Sequence, residues 1–357
     1  MSQSAGPSRP SKTNPADHEK DHERASLWGA LSEPLTDRDG VRLRSEALRE
    51  TMHGREARDW RDVTERWRQY IEDSRETAAV FENASGDRTR GGDPNRFMEG
   101  YANKQYAKLK DLERGVRADY GKRLHSVMLT LTASPTDDDG DQIPPVDHLE
   151  GPEGLLSSWE AVSRALRRVM EGRRWERLAI LEPHQSGYLH VHIAVFVEGV
   201  VRPEQFRPVI EAHLRNCDRA GPEAHRVDPD DPEQRSAVSV RHVGSDRGEN
   251  EIANLGTYLA EYLGTYDGDP LDQPDHVQAA NAVLWATGKQ RWRPSQGAQR
   301  YMATNRGGEG DGFTEWEFIG IEDGDGELHE CPPGDGVDRR TTHTVRVTDN
   351  PPPPDPS

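Results

Sequence analysis

The sequence has only two cysteines, Cys217 and Cys331, in 357 residues. Two thiols cannot build a disulfide scaffold or a four-thiolate zinc site, and such sparing use points to a reducing cytoplasm. Hydrophobic residues make up only 32% of the chain, too few to bury all of it in one compact core, so long solvated stretches are expected. No segment approaches the roughly eighteen consecutive apolar residues of a membrane span, and the N-terminus lacks the apolar stretch of a secretory signal. Lysine is scarce as well: 7 of the 46 cationic residues are Lys and the rest are Arg. Against them stand 64 acidic residues, for a net charge of −18.

Abundant carboxylates with little lysine suit a protein that works in molar salt, where charge is screened within about 3 Å and carboxylates hold water. A GC-rich genome also favours Arg over Lys. The acidity counts against a nucleic-acid partner unless basic residues cluster locally, and they do. Residues 276–308 contain no acidic residue but hold Lys289, Arg291, Arg293, Arg300 and Arg306.

Three parts are expected along the chain. Residues 1–95 form a polar extension, in which 57–81 could be an amphipathic helix while the first 24 residues and 86–95 read as linker or disorder. Residues 96–305 carry a globular pattern that ends in a basic segment over 285–306. Residues 306–357 are acidic and rich in Gly and Pro, with a short hairpin expected over 313–321 and 327–331.

The globular part reads in a definite order. A long amphipathic helix over 97–120 precedes a β-rich run, SVMLTLTA, over 126–133. Apolar residues at helical spacing from Leu155 to Val169 give the next helix, which Gly172 ends. Strands follow over 178–182 and 188–197, then a helix from Pro203 to about residue 217, a strand over 237–243 and a helix over 250–263. The pattern is β-α-β-β-α-β plus one helix. It predicts an α+β fold with an antiparallel sheet of the ferredoxin-like type, first and third strands at its centre. That fold hosts many functions and decides none.

His190 and His192 are two apart on the third strand, so both imidazoles leave the same face. They make a preformed pair of metal ligands, although alternate histidines also occur as ordinary half-buried residues. Glu182 ends the preceding strand, and a turn over 183–187 folds it back beside His190. Two His and one carboxylate suit a divalent cation with open positions for substrate. On the last helix Tyr258 and Tyr262 are spaced i, i+4 and share a face. Such pairs also serve packing. A phenol, with a pKa of about 10, becomes a useful nucleophile when a metal polarises its target phosphorus.

In order and spacing, MLTLTAS (128–134), EPHQSGYLHVH (182–192) and YLAEY (258–262) resemble motifs one, two and three of HUH endonucleases. More narrowly, they resemble rolling-circle replication initiators of small plasmids and viruses, and by composition those of haloarchaea. The resemblance spans about residues 96–266. It implies a metal, Mg²⁺ or Mn²⁺, held by His190, His192 and Glu182. It also implies a Tyr that attacks one strand of an origin, leaving a 5′-phosphotyrosine and a free 3′-OH for a host polymerase. Two features depart from the commonest plasmid pattern. Lysines flank that pattern's catalytic Tyr, whereas Glu261 and Thr265 stand here, and its upstream carboxylate is replaced by Tyr258. The pair is closer to two-tyrosine initiators, with Tyr262 favoured for the first attack and Tyr258 for the second.

No P-loop occurs, so a host helicase would be needed. Histidine-triad hydrolases require a third alternate His, where Ala194 stands, and conjugative relaxases place their Tyr upstream of the His pair. His184, in the turn, is either a supporting residue or an exposed turn histidine. For DNA contact outside the site the expectation falls on Lys289, Arg291, Trp292, Arg293 and Arg300. There the cations would follow phosphates while Trp285, Trp292 and Tyr301 stack on unpaired bases, unless these Trp residues pack on the domain instead. An HUH-type transposase and a catalytically inactive DNA-binding regulator of the same fold are the competing expectations.

Overall fold

A computed structural model describes residues 36–38, 41–44, 48–52, 54–57, 59–91, 95–227, 236–243, 268–302, 316–323 and 325–330. Two short ladders come first, β1 (Thr36–Arg38) with β2 (Val41–Leu43) and β3 (Leu48–Thr51) with β4 (Gly54–Ala57). Then follow α1 (Trp60–Arg75), β5 (Ala78–Asn83), β6 (Arg88–Gly91), α2 (Glu99–Tyr120), β7 (Leu124–Leu131), α3 (Pro145–Glu150) and α4 (Trp159–Val169). The order continues through β8 (Trp175–Pro183), β9 (Leu189–Glu198), α5 (Arg207–Asn216), β10 (Val238–His242), α6 (Asp275–Thr287), β11 (Trp292–Pro294), α7 (Gln296–Met302), β12 (Trp316–Glu322) and β13 (Leu328–Glu330). No helix among the described residues is long and apolar enough to cross a membrane.

The chain divides into two compact units, the larger formed by residues 34–71 and 93–313. Its centre is a five-stranded sheet in the order β10-β7-β9-β8-β11, with every neighbouring pair antiparallel. β9 is interior to this sheet and buried on both faces, which is why its sequence is a near-continuous apolar run. Leu189, Val191, Ile193, Val195 and Val197 face one core with Val162 and Leu166 of α4 and Val209 and Ile210 of α5. Ala194 and Phe196 face a second core with Leu109, Leu112 and Val116 of α2. Those α2 residues recur at three and four positions, one stripe of the helix.

Two close approaches fix the outer elements. α7 docks on α2 where Gly115 leaves room for Tyr301; a Cβ there would lie 2.2 Å from Tyr301 Cδ1. Tyr301 then donates to Asp119 at 2.6 Å. The last carbonyls of α6, which have no partners within the helix, are taken up by two arginines. Arg96 donates to Leu284 O at 2.6 Å and Arg44 to Trp285 O at 3.0 Å. Gly288 closes that helix in the left-handed region, φ 65°.

The smaller unit comprises residues 1–33, 72–92 and 314–357, and its described part is a four-stranded sheet in the order β13-β12-β5-β6. Residues 78–91 of the N-terminal part and 316–330 of the C-terminal part thus contribute strands to one sheet. The helix expected over 57–81 ends at Arg75, because 78–83 pairs with β12. Likewise 88–91, expected as linker, is the edge strand β6.

Candidate metal centre

The centre sits on the sheet face that α2 covers in part. Antiparallel register places Glu182 of β8 directly opposite His190 of β9, and Thr130 of β7 and Ile180 of β8 on either side of His192. The β8–β9 turn closes with His184 N–H donating to Tyr188 O at 2.8 Å. Gly187 adopts φ 87° there, a value that side-chain-bearing residues rarely reach. The turn therefore holds the carboxylate against the imidazoles.

Three donor atoms converge. Glu182 Oε2 lies 2.6 Å from His192 Nε2 and 3.3 Å from His190 Nε2, and the two nitrogens are 3.0 Å apart. Adjacent ligands on an octahedral ion at ~2.1 Å would be ~3.0 Å apart. The triangle therefore fits one face of such a shell and leaves the opposite face open. Side-chain exposures of 17%, 9% and 22% for His190, His192 and Glu182 make the cluster half-buried but reachable. Burial alone would raise the Glu182 carboxyl; hydrogen bonds from both imidazoles outweigh it and hold the group down at about 2. It is a carboxylate, ready to ligate.

Residues that the sequence did not single out support the centre. Thr130 Oγ1 lies 3.1 Å from His192 Nδ1, the nitrogen facing away from the cluster, and so sets the ring's orientation. Just beyond Thr130, three buried histidines grip the backbone of the same segment. His225 Nε2 accepts from Thr132 N–H at 3.0 Å, while His213 Nε2 and His148 Nε2 contact the carbonyls of Thr132 and Ala133 at 2.9 and 3.1 Å. Burial depresses all three, His213 to about 4, so they are neutral hydrogen-bonding parts at neutral pH. Only Thr130, by its place in MLTLTAS, carried a sequence signal; the other three come from separate loops and helices. A second donor group, Asp323, Glu327 and His329, lies in the smaller unit's β12–β13 turn. There Asp323 already accepts from the Asp325 and Glu327 amides.

The structure brings Glu182, His190 and His192 together. Tyr258 and Tyr262 lie outside the described residues. His184 is exposed and hydrogen-bonded within its own turn to Ser186, its ring 6.1 Å from that of His190. The basic segment is divided between packed and accessible side chains. Trp285 and Trp292 are 2% and 9% exposed and belong to the two cores. Arg291 is buried against Asn281, and Lys289 pairs with Glu150 at 2.5 Å. Residues 292–294 form β11, an edge strand added to β8. Arg293, half-buried over Trp159, and the exposed Arg300 keep accessible cationic surface.

Comparison with known proteins agrees with the composition. The "Uncharacterized 36 kDa protein" of Halobacterium salinarum is 46% identical over 304 residues, covering 84% of this chain and 95% of that one. A protein of the same name from Halobacterium sp. (strain GN101) is 44% identical over 290 residues, 79% of this chain and 87% of its own. These relatives come from halophilic archaea. No solved structure matches the chain significantly. A family model matches residues 34–354, nearly the whole sequence, and the chain belongs to that family, described as "Putative rep protein (DUF1424)".

Proposed function

We propose that the chain is a rolling-circle replication initiator of the HUH endonuclease type, nicking one strand of a replicon origin and later rejoining it. The observation that carries this reading is the convergence of Glu182, His190 and His192 on one open sheet face. The strand order, with β7 and β9 paired and flanked by β10 and β8, supports the ferredoxin-like reading of the sheet. Membership of a rep family and the motif order of the three segments agree with it.

A divalent ion held by the three ligands would polarise the scissile phosphate and offset charge on its oxygens. Two imidazoles favour Mn²⁺ over Mg²⁺, which prefers an all-oxygen shell. Tyr262 Oη attacks phosphorus, the P–O3′ bond breaks, and the phenol's proton leaves as the 3′-oxygen gains one. The products are a 5′-phosphotyrosine and a 3′-OH that a host polymerase extends, with a host helicase opening the duplex. Tyr258 serves the second, strand-joining attack. Length permits this: β10 ends at the far end of the sheet, about 17 Å from the Thr130 row, and Tyr258 stands sixteen positions beyond His242. Even as helix, sixteen residues span about 24 Å.

The test is conversion of supercoiled plasmid bearing the replicon's own origin to open circle in molar KCl. Parent protein nicks with Mn²⁺ and stops in EDTA, and His190→Ala and His192→Ala are inactive while folded. Glu182→Gln is impaired less, because an amide oxygen still coordinates. On labelled origin oligonucleotide, Tyr262→Phe loses the covalent adduct and Tyr258→Phe keeps it. A double-histidine variant that nicks like the parent in EDTA refutes the metal assignment. An adduct that persists in Tyr262→Phe but is lost in Tyr258→Phe reverses the tyrosines.

A further inference from the structure

Next to the metal centre, on the same sheet face, lies a groove of about 310 Å³ between the first half of α2 and the β11–α7 segment. Its position follows from strand register. Trp292 of β11 stands opposite Ile180, and the ladder continues through Leu181 N–H donating to Arg291 O at 2.8 Å. Carried one residue further, this register would set Gln290 across from Glu182, one strand spacing (~4.8 Å) from the centre. The groove begins where the metal ligands end.

The walls have an unusual composition for this chain. Tyr101 and Trp292 supply aromatic surface; Gln105, Gln290 and Gln299 supply three amides; Lys108 supplies one exposed cation. No acidic side chain is among the described lining residues, in a sequence with 64 acidic residues. The three glutamine side chains and the Lys108 ammonium have no hydrogen bond or ion pair within the described structure. The indole N–H of Trp292, a residue only 9% exposed, also has no partner among the described residues.

Each carboxamide presents a donor and an acceptor side by side, the pattern that pairs with a base edge, and aromatic faces stack on bases of any sequence. A purely apolar ligand would leave the amides unpaired, and an anion alone would use only Lys108. The volume lies at the small end of ligand pockets. We propose that this groove is a base-reading subsite. It takes one or two unpaired nucleobases of the strand whose neighbouring phosphate lies at the metal centre, with Gln105, Gln290 and Gln299 reading the base edge and Lys108 holding the backbone. The inference deepens the nicking reading and rests on it for the choice of DNA as ligand. It also gives this chain a source of specificity that molar salt does not weaken, since phosphate contacts lose their counterion-release gain there.

The test is fluorescence anisotropy of the full chain with labelled single-stranded oligonucleotides of about twelve nucleotides. The probes are oligo-dT, oligo-dA, oligo-dC and oligo-dT with one central dG, in molar KCl with EDTA. The parent should prefer one base by roughly tenfold or more. The triple variant Gln105→Ala, Gln290→Ala, Gln299→Ala, altering surface side chains only, should bring all four probes within about twofold of one another. Lys108→Ala should weaken all of them alike. Equal binding of the four probes by the parent, or unchanged preference in the triple variant, overturns the subsite. Because EDTA silences cleavage, the two ideas separate. A parent that nicks its origin but shows no base preference keeps the first and loses the second. A base-selective parent whose groove variants lose that selectivity supports the subsite even if no nicking is found.

Discussion

Thr130 offers the sharpest check on how the metal centre is built. Thr130→Val keeps the shape and the β-branch but deletes the hydroxyl that lies 3.1 Å from His192 Nδ1. When Nε2 of His192 ligates an ion, Nδ1 carries the proton and donates it to Thr130 Oγ1, fixing the tautomer and the ring plane. His192 is 7% exposed, so water cannot readily replace that acceptor. Losing a partner of this kind costs 10–100-fold in metal affinity, about 1.4–2.7 kcal/mol. The ligand atoms are untouched, so saturating Mn²⁺ should restore nicking to near the parent rate, and Thr130→Ser should behave like the parent. Isothermal titration with Mn²⁺ reads the affinity directly, without DNA. A Thr130→Val protein that binds Mn²⁺ as tightly as the parent would show that the hydroxyl does not position His192.

Gly115→Ala should lower the denaturation midpoint. The helix gains about 1 kcal/mol from Ala, but the new Cβ meets a tyrosine ring at 2.2 Å whose hydroxyl is tied to Asp119, and overpacking costs ~1–3 kcal/mol; an unchanged or higher midpoint in urea sinks the argument. The buried histidines predict acid sensitivity. His213 falls to about 4 in the fold from an ordinary 6.5, and His225 and His148 shift the same way, so the unfolded chain takes up protons first as pH drops. Their contribution is complete above about pH 6.5 and is lost as pH falls through His213's folded value. The urea midpoint should thus be lower near pH 5 than at pH 7, and a flat midpoint across that window would contradict the assignment.

Much of the larger unit was legible in the chain because its elements carry their own periodicity. The β-rich runs of β7 and β9, the apolar stripe of α2 and the stop at Gly172 are local signals, and each stands within a few residues of where it was expected. The convergence of Glu182, His190 and His192 was legible for the same reason, since two residues on a strand share a face and a short turn returns Glu182 to His190. Failures came where an ambiguous segment was decided by a distant partner. Residues 78–83 continue a helical pattern, yet they pair with β12 more than two hundred residues away.

What the sequence determined by itself is the supply of side chains: the His and Glu donors and their spacing, the acidic composition, and the alternation of strands and helices. Tertiary structure decided which of these residues reach solvent and which touch. Charge and aromatic content marked 285–302 as a DNA-contact segment, but Trp285, Arg291 and Trp292 are buried, and 292–294 form an edge strand. The same strand set Trp292 into the wall of the groove that α2 and α7 enclose. Thr130 and the three buried histidines likewise became one support only when the fold joined β7 to three separate parts of the chain. Periodicity along a chain encodes which face a residue takes; only the pairing of distant segments encodes its neighbour on that face.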